Sequence, residues 1–221
     1  MSNIFCSSIG KKLVMSLAGL FLCLFLLVHL GINLTLLLND GGVVFQEAVE
    51  FMSLWFIKVF EVILFGGFLI HIIWGVILFF QNWKARPQGY AVTNNSQTSF
   101  FSKYMVHTGA IIFIFLTMHF MNFYFVKLGF VSMPEGATGK HDFYHMAIML
   151  FSQPAYAIIY VAFMFFLSFH LNHAFQSAFQ TLGMNHKKYT PAIKYIGLAY
   201  SIIVPAGFAI IPIYFLCFFG K

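Results

Sequence analysis

The residues of this chain predict an all-α integral membrane bundle of five transmembrane helices with a cytoplasmic N-terminus, and three observations carry that expectation. Of its 221 residues, 61% are hydrophobic and only 8% are charged, too few charges to cover a water-soluble globule. Five apolar stretches are each long enough for a bilayer core, which needs roughly 20 residues per helix. The basic residues between them fall on alternate loops, as they do when Lys and Arg mark the cytoplasmic side.

Taken in order, the first helix covers about 13–38 and follows Lys11 and Lys12. Its apolar run is longer than the core of a signal peptide and has no small-residue cleavage site, so it is expected to be retained. The stretch "NDGGVVFQEAVEFMS" links it to a second helix over about 55–83. "NWKARPQGYAVTNNSQTS", rich in helix-ending Pro, Gly and Asn, leads to a third over about 102–128. "GFVSMPEGATGKHD" precedes a fourth over about 146–182, and "GMNHKKYTP" a fifth over about 192–219. No period of 20–50 residues recurs, and 1–221 reads as a single transmembrane domain.

Charge sets the expected orientation. Lys11, Lys12, Lys84, Arg86, Lys103, Lys187, Lys188 and Lys194 fall on the N-terminal side. Asp40, Glu47, Glu50, Glu135 and Asp142 fall in the opposite loops, and Glu61 lies inside the second helix. The net charge of +6 is therefore a topology signal, and the basic face suits an acidic soluble partner. Nucleic acid is excluded as a partner, because the basic residues are few and scattered over three loops. Cys6, Cys23 and Cys217 have none of the spacings that hold zinc or an iron–sulfur cluster.

Histidine carries the chemistry. At about 1.5 Å per residue, His29 lies about 16 Å from Asp40 and His119 about 12 Å from Lys127, both toward the outer side. His71 and His170 each lie about 20 Å from the inner ends of their helices. Two imidazoles at one depth on different helices are what axial ligation of an iron porphyrin requires, so His29 with His119 and His71 with His170 form two candidate haem sites. Hydrogen-bonded packing and proton transport are the other roles open to a histidine in a membrane helix. His173, about 4.5 Å deeper than His170, is the alternative ligand. His107 lies where haem propionates would be met, together with Ser16, Lys103 and Tyr104.

The stretches "SLAGLFLCLFLLVH", "FEVILFGGFLIHIIWG", "TGAIIFIFLTMH" and "FLSFHLNHAFQSAFQTLG", around His29, His71, His119 and His170, span most of the chain. In them it resembles the five-helix, di-haem, single-polypeptide cytochrome b anchors of succinate dehydrogenases and fumarate reductases. That resemblance implies His29 and His119 as ligands of a distal haem b, and His71 and His170 as ligands of a proximal one. It also implies a flavoprotein subunit and an iron–sulfur subunit on the cytoplasmic face of a bacterial inner membrane, and a quinone, menaquinone by preference, near the outer side. Some members carry a glutamate two residues before the helix-four ligand, linked to transmembrane proton transfer; here that position is Ser168.

A quinone needs a proton partner, and Glu61 is a candidate, about 15 Å farther out than His71. Glu47 and Glu50 in the outer loop are others, and Asn33 and Trp55 are placed to line a ring. Two rivals remain at this level: the haem b anchor of a hydrogenase or formate dehydrogenase, and a histidine-containing transporter without haem.

Overall fold

Ser7 opens the first helix by accepting a hydrogen bond from the Gly10 amide at 3.0 Å, which satisfies one of the free N–H groups of the first turn. The structure, a computed structural model, describes residues 7–84, 104–134 and 136–220. Among them it is all-helical. The elements are α1 (Ser8–Leu34), α2 (Val43–Met52), α3 (Trp55–Lys84), α4 (Met105–His119), α5 (Phe125–Leu128), α6 (Phe143–Phe151), α7 (Pro154–Thr181) and α8 (Thr190–Cys217).

Five stretches are long and apolar enough to cross a membrane: Ile9–Leu37, Trp55–Lys84, Met105–Leu128, Pro154–Thr181 and Thr190–Cys217. The chain is thus a multi-pass membrane protein. α7 packs against α1, α4 and α8, while α3 lies chiefly along α1. Cys23, Met164, Leu167 and Leu171 form a buried cluster at mid-bundle.

Three boundaries differ from the sequence expectation. The connection between the first two spans contains a helix, α2. Asp40 accepts from the amides of Gly42 and Val44 at 2.8 and 2.9 Å, which caps the new helix, and Phe45 and Val49 bury its inner face. The expected fourth helix over 146–182 is two helices. Pro154 disfavours helical geometry in the residue before it; Gln153 is extended at φ −88° and ψ 116°, and the chain restarts with proline in the first turn. α6 therefore folds with α2 under the end of the bundle opposite the N-terminus, called the outer end after the expectation from charge, where Leu36, Phe45, Tyr144, Phe151, Ile211 and Phe215 share a second core.

The third difference lies inside the third span. Directly after His119 the helix widens into a π-helical turn, Phe120–Tyr124, closed by a bond from the Phe125 amide to the Phe120 carbonyl. A wider turn changes the rotational register of everything after it. α5 then completes the span and ends at Gly129, whose φ of 80° reverses the chain.

Candidate functional site: two tiers of facing histidines

α1 and α4 bring His29 and His119 together with ring centroids 5.9 Å apart and planes at 84°. α3 and α7 bring His71 and His170 together at 6.3 Å and 78°. The two pairs are those that depth alone had matched. The ring contact of the inner pair runs from His71 to His170, and His173 is one turn farther along α7.

Glycine sets the inner pair against its neighbours. A Cβ on Gly19 of α1 would touch the His71 ring at 3.4 Å, and one on Gly109 of α4 would touch the His170 ring at 3.5 Å. A methyl group just fits there, whereas a larger side chain would displace the imidazole. The Met15 carbonyl lies beside His71 without reaching hydrogen-bond geometry with its Nδ1, and the Met105 backbone lies beside His170. Since Gly19 precedes His29 by ten residues, and Gly109 precedes His119 by ten, the tiers stand about 15 Å apart along the helix axes.

Met15 and Met105 escape a reading centred on histidines, yet the chain carries a signal for them together with Gly19 and Gly109. "MSLAGLFLCLFLLVH" at 15–29 and "MVHTGAIIFIFLTMH" at 105–119 share Met, Gly, a Phe-Leu pair and His at identical spacing. α1 and α4 are thus built alike, each carrying an outer histidine and a glycine that receives an inner one. Phe25 stacks on His29 at 5.2 Å, and Phe115 on His119 at 5.8 Å, in the same register.

The outer pair is walled by aromatic rings. Phe208 of α8 meets His29 at 5.6 Å, while Phe123 and Tyr160 lie 5.2 and 6.3 Å from His119. Tyr160 is 5% exposed and accepts a hydrogen bond from the Asn122 amide group at 2.9 Å.

Each pair is spaced so that its two imidazoles could hold one metal between them. With metal–nitrogen bonds of about 2.0 Å and a ring radius of about 1.2 Å, two trans imidazoles on one metal have centroids about 6.4 Å apart. Both pairs stand near that separation. His71 and His119 each leave a buried Nδ1 without a partner in the structure. Two imidazoles per tier would supply two nitrogen ligands to a haem iron.

The remaining candidates are dispersed. Glu61 accepts from the Tyr124 hydroxyl at 2.7 Å and pairs with Lys127 at 3.4 Å, five and eight residues beyond His119. Asn33 bonds to the turn that carries His29: its amide nitrogen donates to the His29 carbonyl at 2.7 Å. Trp55 is 79% exposed at the start of α3. Glu47 and Glu50 line an open cavity of about 620 Å³ at the outer end, with Lys140, His141 and His145 across from them. These last three were not expected at a site, because the fold of α2 against α6 is what places them there.

Of the propionate candidates, Ser16 is buried, whereas His107 is exposed and meets the Tyr104 ring at 5.7 Å. Lys103 lies outside the described residues. At the outer rim, partial burial pushes the Asp142 carboxyl up, but bonds from the Thr138 amide and hydroxyl and from His145 overcome it and hold it at about 2. No family model matches the chain, and neither a curated protein nor a solved structure matches it.

Proposed function

We propose that this chain is the membrane subunit of a succinate:quinone oxidoreductase, a di-haem cytochrome b of the bacterial inner membrane. It anchors a flavoprotein subunit and an iron–sulfur subunit and reacts with a quinone, menaquinone by preference. The observation that carries the reading is the meeting of four histidines from four spans as two facing pairs, each near the separation of trans ligands on one metal. Bound there, haem b supplies a reversible one-electron carrier with no open position for oxygen.

The chain's own residues have definable tasks. His29 and His119 hold the outer group, and His71 and His170 the inner one. Gly19 and Gly109 let the inner imidazoles lie against neighbouring backbone, and the apolar spans exclude water. Lys11, Lys12, Lys84, Lys187, Lys188 and Lys194 mark the cytoplasmic end, where the partner subunits dock. Succinate and fumarate are small dianions with no route into this apolar bundle, so their chemistry belongs to the flavoprotein.

Glu47 and Glu50 serve as proton partners for quinone. They line a cavity in the size range of small-molecule sites, whereas Glu61 already has Tyr124 and Lys127 as partners. A redox titration of the complex purified with its partner subunits tests the reading: two b-type transitions together with succinate:quinone activity are expected. A colourless chain would overturn it and favour a transporter.

A further inference from the structure

One histidine in each tier has a hydrogen-bond partner on Nδ1, and the two partners act in opposite senses. Thr108 donates its hydroxyl proton to the Met105 carbonyl at 2.9 Å. Its oxygen also lies 3.3 Å from His170 Nδ1. A hydroxyl has one proton, so with that proton committed to the carbonyl the oxygen can only accept. His170 therefore carries its proton on Nδ1 and leaves the Nε2 lone pair bare, which is the form that binds metal through Nε2.

Asn33 works the other way. Its amide nitrogen donates to the His29 carbonyl at 2.7 Å and lies 3.3 Å from His29 Nδ1. Turned over, the amide would press its oxygen against that carbonyl oxygen, so the nitrogen stays where it is. The second N–H then points at the Nδ1 lone pair, and the His29 proton sits on Nε2.

We infer that the tiers differ in readiness for metal: Thr108 holds His170 in the ligating tautomer, whereas Asn33 holds His29 in the non-ligating one. For His29 to ligate through Nε2, a proton leaves Nε2 and one is taken up at Nδ1, with no net change in charge. The Asn33 amide nitrogen then has to swing away from the new Nδ1–H. Both are positioning residues that act through a histidine. The inference rests on the bis-histidine reading and adds an order to it: the inner site fills first, and the outer one fills after a side-chain rearrangement.

The test uses the full chain in lipid nanodiscs with 15N-labelled histidine. Before haem is added, imidazole nitrogen shifts should show His170 protonated at Nδ1 and His29 at Nε2. Thr108→Val should move His170 toward the Nε2–H form, and Thr108→Ser should restore it; equal tautomers at the two histidines, or no response to Thr108→Val, overturn the inference. Haem is then titrated into His29→Ala, which keeps the inner pair, and His170→Ala, which keeps the outer one. The inner-only chain should bind more tightly, and adding Thr108→Val to it should weaken binding by about tenfold or more. Equal affinities unaffected by Thr108→Val overturn the inference and leave the haem reading standing. Failure of both chains to bind haem, with the tautomers as expected, overturns the haem reading itself.

Discussion

Around His29 and His119 the chain places aromatic rings; around His71 and His170 it places glycines and a hydroxyl. Both pairs stand at nearly the same separation, so the histidines alone do not distinguish them. What differs is what lies behind each ring. The outer imidazoles are confined by Phe25, Phe115 and Phe208, whose faces restrict rotation but offer no acceptor. The inner imidazoles lie against backbone, and His170 has a hydroxyl for its Nδ1. Imidazoles at matching separations can thus be given unlike electronic settings by the partners of their Nδ1 atoms.

The largest expected effect breaks one tier and spares the other. His29→Ala and His170→Ala should each halve the haem per chain, measured as a haemochrome, and together should leave the chain colourless. Loss of both haems from either single substitution would mean that the tiers are one cooperative unit.

A smaller step spoils only the support of the inner pair. Gly109→Leu should remove the inner spectral component and keep the outer one, while Gly109→Ala, whose methyl makes an ordinary contact with His170, should retain both. Matching behaviour of Gly19→Leu would show that α1 and α4 play equivalent parts. On the outer side, Tyr160→Phe removes the acceptor for Asn122 and should cost about 1 kcal/mol in unfolding free energy, with the inner component unchanged.

The smallest effect lies at the rim, outside both tiers. Asp142 titrates at about 2 in the folded chain, below the unfolded carboxylate value of about 3.9. Its contribution is therefore complete above about pH 4 and is lost as pH falls through about 2. Amide exchange at the start of α6 should accelerate over that window, and Asp142→Asn should remove the pH dependence. Both histidine tiers should be unaffected.

How much of this was legible before folding can be argued from particular residues. The five spans were, because bilayer thickness demands long apolar runs and the chain supplies five of them. The pairing of histidines by depth was also legible, since a rise of about 1.5 Å per residue converts sequence position into height. Glu61 illustrates the limit. Its height pointed to the outer half, but not to Tyr124 and Lys127, whose facing direction follows the π-helical turn after His119.

The sequence by itself therefore determined the number of crossings, the heights of the four histidines and the repeated spacing of Met, Gly and His in α1 and α4. Each of these is a distance along one helix, and a helix has a fixed rise. Only the tertiary structure decided that Gly19 receives His71, that Thr108 reaches His170, that α2 and α6 close the outer end, and that Glu47 and Glu50 face Lys140 and His145 across a cavity. Those depend on which helices are neighbours and how each is rotated about its axis. Rotation and neighbour choice are settled by side-chain packing between segments far apart in the chain, which no single helix encodes.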